Sequence, residues 1–132
     1  MQKHYAVAMA IAMAVGMMSG TARAADLYSS GAKTWDTATT NWGTVTGGPY
    51  DAAAWNNATP DAATFEGTGG AVTLGEAITV GGLTFNATNY TIATGANTLT
   101  FGAATNAIIF GKSTVAAATI TGAVGGGGNV TL

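Results

Sequence analysis

Groups able to carry acid–base, nucleophilic or metal chemistry are sparse in this sequence of 132 residues. Six carboxylates (Asp26, Asp36, Asp51, Asp61, Glu66 and Glu76) and, past residue 24, three serines (Ser29, Ser30 and Ser113) stand against a single His and no Cys. Two carboxylates at a set separation could hydrolyse a glycoside. A dense run of oxygen ligands could hold calcium, but neither a D-x-[DN]-x-[DN]-G loop nor a GGxGxD repeat occurs. The acids are mostly ten or more residues apart and read as solvated turn residues. The serines have no His beyond His4 to activate them, which excludes a Ser-His-Asp triad. Gly111-Lys112-Ser113 lacks the upstream glycine of a phosphate loop, and the run Gly125 to Gly128 reads as a flexible corner. No catalytic residue, metal site or cofactor is expected. The one set with binding chemistry of its own is Trp35, Trp42 and Trp55. Their flat indoles could stack on sugar rings, or could pack together and close the end of a stack of strands.

The elements that would position these residues follow from composition. Ala, Thr and Gly supply 71 of the 132 residues, while charged residues make up 8%. Such a mixture favours regular strands over helices rich in Leu, Glu and Lys. A formal net charge of −2 gives no footprint for nucleic acid. Residues 1–24 read as a secretory signal peptide. Lys3 and His4 precede an uncharged, largely apolar run of 13 residues, Ala6 to Met18, too short to span a bilayer comfortably. Ala22-Arg23-Ala24 then offers an Ala-x-Ala site, with cleavage expected after Ala24. The chain from Ala25 onward keeps no Met, His, Arg or Cys, and its only cations are Lys33 and Lys112. An exported chain this short, without disulfides or a dense core of large side chains, must draw its stability from repetition.

Past the leader the chain divides into a Trp-rich segment, 25–70, and a regular segment, 71–132. The first contains all three Trp and five of the six acids, among turn formers such as Asn41-Trp42-Gly43, Gly47-Gly48-Pro49 and Asn56-Asn57. The second is a series of triplets that alternate an apolar residue, an outward Thr or its equivalent, and a second apolar residue. They are Val72-Thr73-Leu74, Ile78-Thr79-Val80, Leu83-Thr84-Phe85, Tyr90-Thr91-Ile92, Leu99-Thr100-Phe101, Ile108-Ile109-Phe110, Ala118-Thr119-Ile120 and Val130-Thr131-Leu132. Their spacing makes three strands per turn about 25 residues, the scale of a triangular solenoid. An antiparallel sandwich or meander has similar spacing. Connections such as Gly81-Gly82 and Thr94-Gly95-Ala96-Asn97, which can turn a corner without reversing, favour the parallel form. The expected fold is all-β: a parallel β-helix, or solenoid, with a Trp-rich N-terminal cap after a cleaved signal peptide. No helix is expected beyond the leader.

Thr34-Trp35-Asp36, Asn41-Trp42-Gly43, Ala54-Trp55-Asn56 and Ala63-Thr64-Phe65-Glu66-Gly67 lead into Ile78-Thr79-Val80-Gly81-Gly82-Leu83-Thr84-Phe85. This arrangement resembles the start of a bacterial autotransporter-type passenger carrying autotransporter-associated β-strand repeats. The resemblance implies a right-handed parallel β-helix, secretion through the inner membrane, and display at the outer membrane by a C-terminal β-barrel. The sequence stops at Val130-Thr131-Leu132 and holds no such barrel, so it reads as an N-terminal fragment of a larger frame, with membrane association supplied elsewhere. The function expected is that of a non-catalytic structural or adhesive passenger region, at the bacterial cell surface or outside the cell. Its partner would be a surface polysaccharide or another cell. The alternatives are a carbohydrate-binding module built on Trp35, Trp42 and Trp55, and a non-catalytic part of a longer secreted β-helix enzyme.

Overall fold

Alternation of one apolar and one polar residue commits most of this chain to strands, because successive side chains leave a strand on opposite faces. The computed structural model describes residues 24–103, 105–112, 117–126 and 129–131. The expected leader up to residue 23, Ala22 included, lies outside the described residues, as do Ser113, Gly127, Gly128 and Leu132. The strands are β1 (Asp26–Ser30), β2 (Lys33–Trp35), β3 (Ala62–Glu66), β4 (Ala71–Leu74), β5 (Ile78–Val80) and β6 (Gly82–Phe85). They continue as β7 (Tyr90–Phe101), β8 (Thr105–Phe110), β9 (Ala118–Gly126) and β10 (Asn129–Thr131). Among the described residues there is no helix, so the chain is all-β.

Every strand pair is parallel. One sheet runs β1-β3-β6-β8-β10, and the other runs β2-β4-β7-β5 with β9 added along β7. The chain passes back and forth between the sheets, with the consecutive strands β4 and β5 both in the second, and each return lays a strand in register on its predecessor. Leu83 pairs with Ala63, and Ile108 pairs with Leu83. These returns take 20 and 25 residues. The antiparallel alternative is thereby excluded for these strands: the corners bend the chain without reversing it. At Gly81, between β5 and β6, a Cβ would stand 2.3 Å from the Pro60 carbonyl oxygen, so only glycine lets the two corners nest. Asn89, at φ 66, makes the corner before β7 with a residue type that tolerates this left-handed conformation.

The segments departed from the expected strands in two ways. The Tyr90 and Leu99 triplets are one strand, β7, whose register along β9 shifts between Ala93 and Thr98. The corner is a bend within the strand rather than a break in it. Buried Thr94 serves this bend: its Oγ1 accepts the Ala123 N–H at 2.9 Å. Parallel pairing also begins before residue 71, because β1, β2 and β3 lie within the Trp-rich segment and pair onward into β4 and β6.

The interior is a set of side-chain columns. Leu27, Ala63, Leu83 and Ile108 form one, and Ser29, Phe65, Phe85 and Phe110 form another. In the second column the Phe65 and Phe85 rings stack at 5.3 Å and 17°, and Phe85 and Phe110 at 5.9 Å and 29°. Val72, Ile92 and Ile120 align in the second sheet, as do Ile78, Leu99 and Val124. Each fully buried Val, Leu, Ile or Phe contributes about 1.5–3 kcal/mol over its exposed form. On the outer face Thr34 lies beside Thr73, Thr79 beside Thr100, and Thr91 beside Thr119.

Candidate functional site

The three tryptophans arrive from different places. Trp35 ends β2, whereas Trp42 and Trp55 come from the long connection 36–61 between β2 and β3. Strand alternation turns Trp35 inward next to Leu74, and the connection folds back over the β1 end of the first sheet. The structure brings all three indoles together. Trp35 and Trp42 lie 5.1 Å apart, Trp35 and Trp55 4.8 Å apart near a right angle, and Trp42 and Trp55 5.0 Å apart. Phe65, at 5.7 Å from both Trp35 and Trp42, joins this cluster to the phenylalanine column. Such tilted and edge-on pairs are the favoured aromatic geometry. Trp35 and Trp42 are 0% exposed and Trp55 2%, so no indole presents a free face to solvent.

Around the cluster, connection 36–61 supplies hydrogen bonds to three strand edges. On β1, Tyr28 and Gly43 exchange N–H···O bonds of 2.9 and 2.8 Å, an antiparallel bridge along the edge opposite β3. On β2, the Asn41 side-chain amide donates to the Thr34 carbonyl at 2.9 Å. On β5, the Thr79 N–H donates to Asn57 Oδ1 at 2.8 Å and the Trp55 indole N–H donates to the Thr79 carbonyl at 3.1 Å. Asn57 Nδ2 also donates to the Ala77 carbonyl at 2.9 Å. Unpaired edges of this kind recruit other chains, so covering them has a physical purpose.

The carboxylates fasten the same connection. Asp36 accepts the N–H groups of Ala38 and Thr39 at 2.9 and 2.6 Å, and the Thr39 bond leads in holding its pKa below the ordinary value. Glu76 accepts the N–H and hydroxyl of Thr37. Glu66 accepts from Thr46 Oγ1 at 2.7 Å, Gly47 N–H at 2.6 Å and Tyr50 hydroxyl at 3.1 Å. Asp61 accepts the Ala25 N–H at 2.8 Å. The expectation of solvated turn residues therefore fits exposed Asp51 and fails for Asp61 and Glu66, which are 6% and 7% exposed. Alternation along β3 gave no hint of this for Glu66, because a carboxylate at an outward position becomes buried only when a loop folds over it, and Asp61 precedes the strand. Tyr90 completes the joint from below. Its buried hydroxyl accepts the Gly31 N–H at 3.0 Å and donates to the Glu66 carbonyl at 2.7 Å, and burial raises its pKa.

Lys33 is the residue the sequence reading passed over. It occupies the column headed by Val72, pointing inward, with Nζ 3.9 Å from the Trp42 ring centre and donating to the Asn41 carbonyl. Burial pulls its pKa down to about 8, against the opposing charge of Asp36. Four buried polar atoms nearby in sequence, Ser29 Oγ, Trp35 Nε1, Asn41 Oδ1 and Trp42 Nε1, have no hydrogen-bond partner. Among the described residues no group of three or more His, Cys, Asp or Glu side chains could hold a metal ion. Among the described residues no helix long and apolar enough to cross a membrane occurs, which says nothing of strand-built spans. Of the expected cleavage residues, Ala24 is described and exposed, at the foot of β1.

The chain is similar to a curated protein, the adhesin BmaC autotransporter of Brucella suis biovar 1 (strain 1330). The two are 44% identical over 96 residues, which cover 64% of this chain and 3% of the relative. The chain thus spans a small fraction of that relative's length. No protein-family model matches the chain, and no solved structure does.

Proposed function

We propose that this chain is the capped N-terminal end of a parallel β-solenoid in an exported, surface-displayed passenger that acts by adhesion and performs no catalysis. The similarity to an autotransporter adhesin supports the adhesive role. The observation that carries the architecture is the three-edge closure by connection 36–61, through Gly43 on β1, Asn41 on β2, and Trp55 and Asn57 on β5. In this reading the triplets are successive strands of autotransporter-associated repeats, and Trp35, Trp42 and Trp55 form the hydrophobic plug beneath the closure. Repeats that borrow burial from their neighbours need such a terminal unit for solubility. The burial of the indoles weighs against a glycan-stacking platform, since stacking on a sugar requires an open ring face.

Adhesion then belongs to the outer faces and to whatever further turns the whole protein carries, with a surface polysaccharide or another cell as partner. Residues 1–24 serve as the export signal, and a β-barrel elsewhere in the parent protein supplies the membrane attachment. The test is made on the native organism. Antibodies raised against residues 25–132 should label intact cells, and deletion of the reading frame should lower adherence to host cells or surface polymers. Labelling that appears only after the outer membrane is opened, or adherence unchanged by the deletion, would contradict this function.

A further inference from the structure

The fold places the first residue expected after leader cleavage against a buried acid that is short of partners. Asp61 is 6% exposed, yet its side chain has one hydrogen-bond partner among the described residues, the Ala25 N–H at 2.8 Å. Its backbone is fixed on both sides. The neighbouring Ala62 N–H donates to the Ala25 carbonyl at 2.8 Å, and the Gly81 N–H donates to the Asp61 carbonyl at 2.8 Å. The two cations that remain after residue 24 lie elsewhere: Lys33 is engaged over Trp42, and Lys112 is exposed. A buried carboxylate facing a single neutral donor is costly, and a cation at that donor removes most of the cost.

Cleavage after Ala24 makes that change at the donor itself, the Ala25 nitrogen. The Ala25 nitrogen ceases to be an amide and becomes an α-ammonium, with an ordinary pKa of about 7.7–8.0. We infer that Asp61 is the receptor for the mature N-terminus, and that the Ala25 α-ammonium and the Asp61 carboxylate form an ion pair that exists only in the processed chain. Water adds across the Ala24–Ala25 peptide bond during processing, leaving a carboxylate on Ala24 and the ammonium on Ala25. Ala24 and Ala25 are both exposed, so the bond stays accessible while Asp61 waits behind it. The new pair pins the start of β1 to the residue before β3, and it locks the first turn of the fold after export rather than before. This inference rests on the export reading in one respect, the position of cleavage.

The experiment uses the chain expressed with its own leader and recovered after export. Mass and N-terminal sequencing should give Ala25 as the first residue. N-terminus-selective transamination, which replaces the α-ammonium with an uncharged carbonyl and spares Lys33 and Lys112, should then shift the unfolding equilibrium by about tenfold or more, as for loss of a charge-assisted hydrogen bond. The same treatment of the Asp61→Asn variant should leave its equilibrium almost unchanged. In the unmodified pair of proteins, the α-amine should react more slowly in the wild type than in Asp61→Asn, a readout that needs no denaturation. A mature chain beginning anywhere but Ala25 overturns the inference at its premise. A chain that begins at Ala25 and is equally affected by transamination with and without Asp61, or whose α-amine reacts at the same rate in both, overturns the pairing itself.

Discussion

Lys33 is the residue whose chemistry departs furthest from its ordinary behaviour. A lysine at an inward strand position gives up hydration, and it recovers part of the loss from the Trp42 ring and the Asn41 carbonyl. Burial lowers its pKa from 10.5 to about 8, while Asp36 pulls the other way. The folded chain therefore binds fewer protons than the unfolded chain between those two values. Stability rises with pH wherever the unfolded state holds more protons, so this residue makes the fold more stable as pH climbs from about 8 towards 10.5. Tyr50 and Tyr90 act in the opposite direction only at higher pH, because burial raises phenol pKa values that start at 10.0. Between about pH 7 and about pH 9.5 the urea midpoint of the wild type should gain on that of Lys33→Met as pH rises, since the Ala25 α-ammonium acts equally in both proteins. Equal slopes in the two proteins would show that Lys33 keeps its charge in the folded state.

At the scale of elements, connection 36–61 does for the strand edges what a further strand would otherwise do. Asn57 is its sharpest instance, since one side-chain amide both accepts from Thr79 N–H and donates to the Ala77 carbonyl. Asn57→Ala should cost about 1–3 kcal/mol in unfolding free energy, the loss of two net hydrogen bonds at a partly buried edge. A cost below a few tenths of a kcal/mol would mean that water closes this edge equally well. The triplets from Val72 onward were legible because their alternation is undisturbed, and so was the parallel winding, from corners that contain Gly and Asn. Strands β1 and β2 were not legible. Their inward positions include Ser29 and Lys33, and a hydroxyl and an amine break the apolar rhythm that marks a strand. The fusion of two triplets into β7 also escaped the sequence, because Gly95 at φ +61 reads as a break although the strand bends through it. The gathering of Trp35, Trp42 and Trp55 was legible as a set. The edge bonds of Asn41, Trp55 and Asn57 were not, because polar side chains in an irregular connection carry no periodic signal.

At the scale of the whole molecule, the two ends differ. At one end three tryptophans and Phe65 lie buried under a hydrogen-bonded connection. Towards the other, Ile109 is 49% exposed, Phe110 50% and Val124 51%, although Phe110 and Val124 continue interior columns. Burial at one end and exposed apolar columns at the other suit the proposed terminal unit of a longer stack. The tryptophans report on the plug directly, because all three in the sequence belong to it. The measurement is acrylamide quenching of the intrinsic fluorescence of the exported chain, with and without a panel of surface glycans. A blue-shifted emission that resists quenching, is unmoved by glycan and shifts red only on unfolding is the predicted result. An emission at the position of free indole, quenched as readily in the folded protein as in urea, or displaced by a glycan, would contradict it.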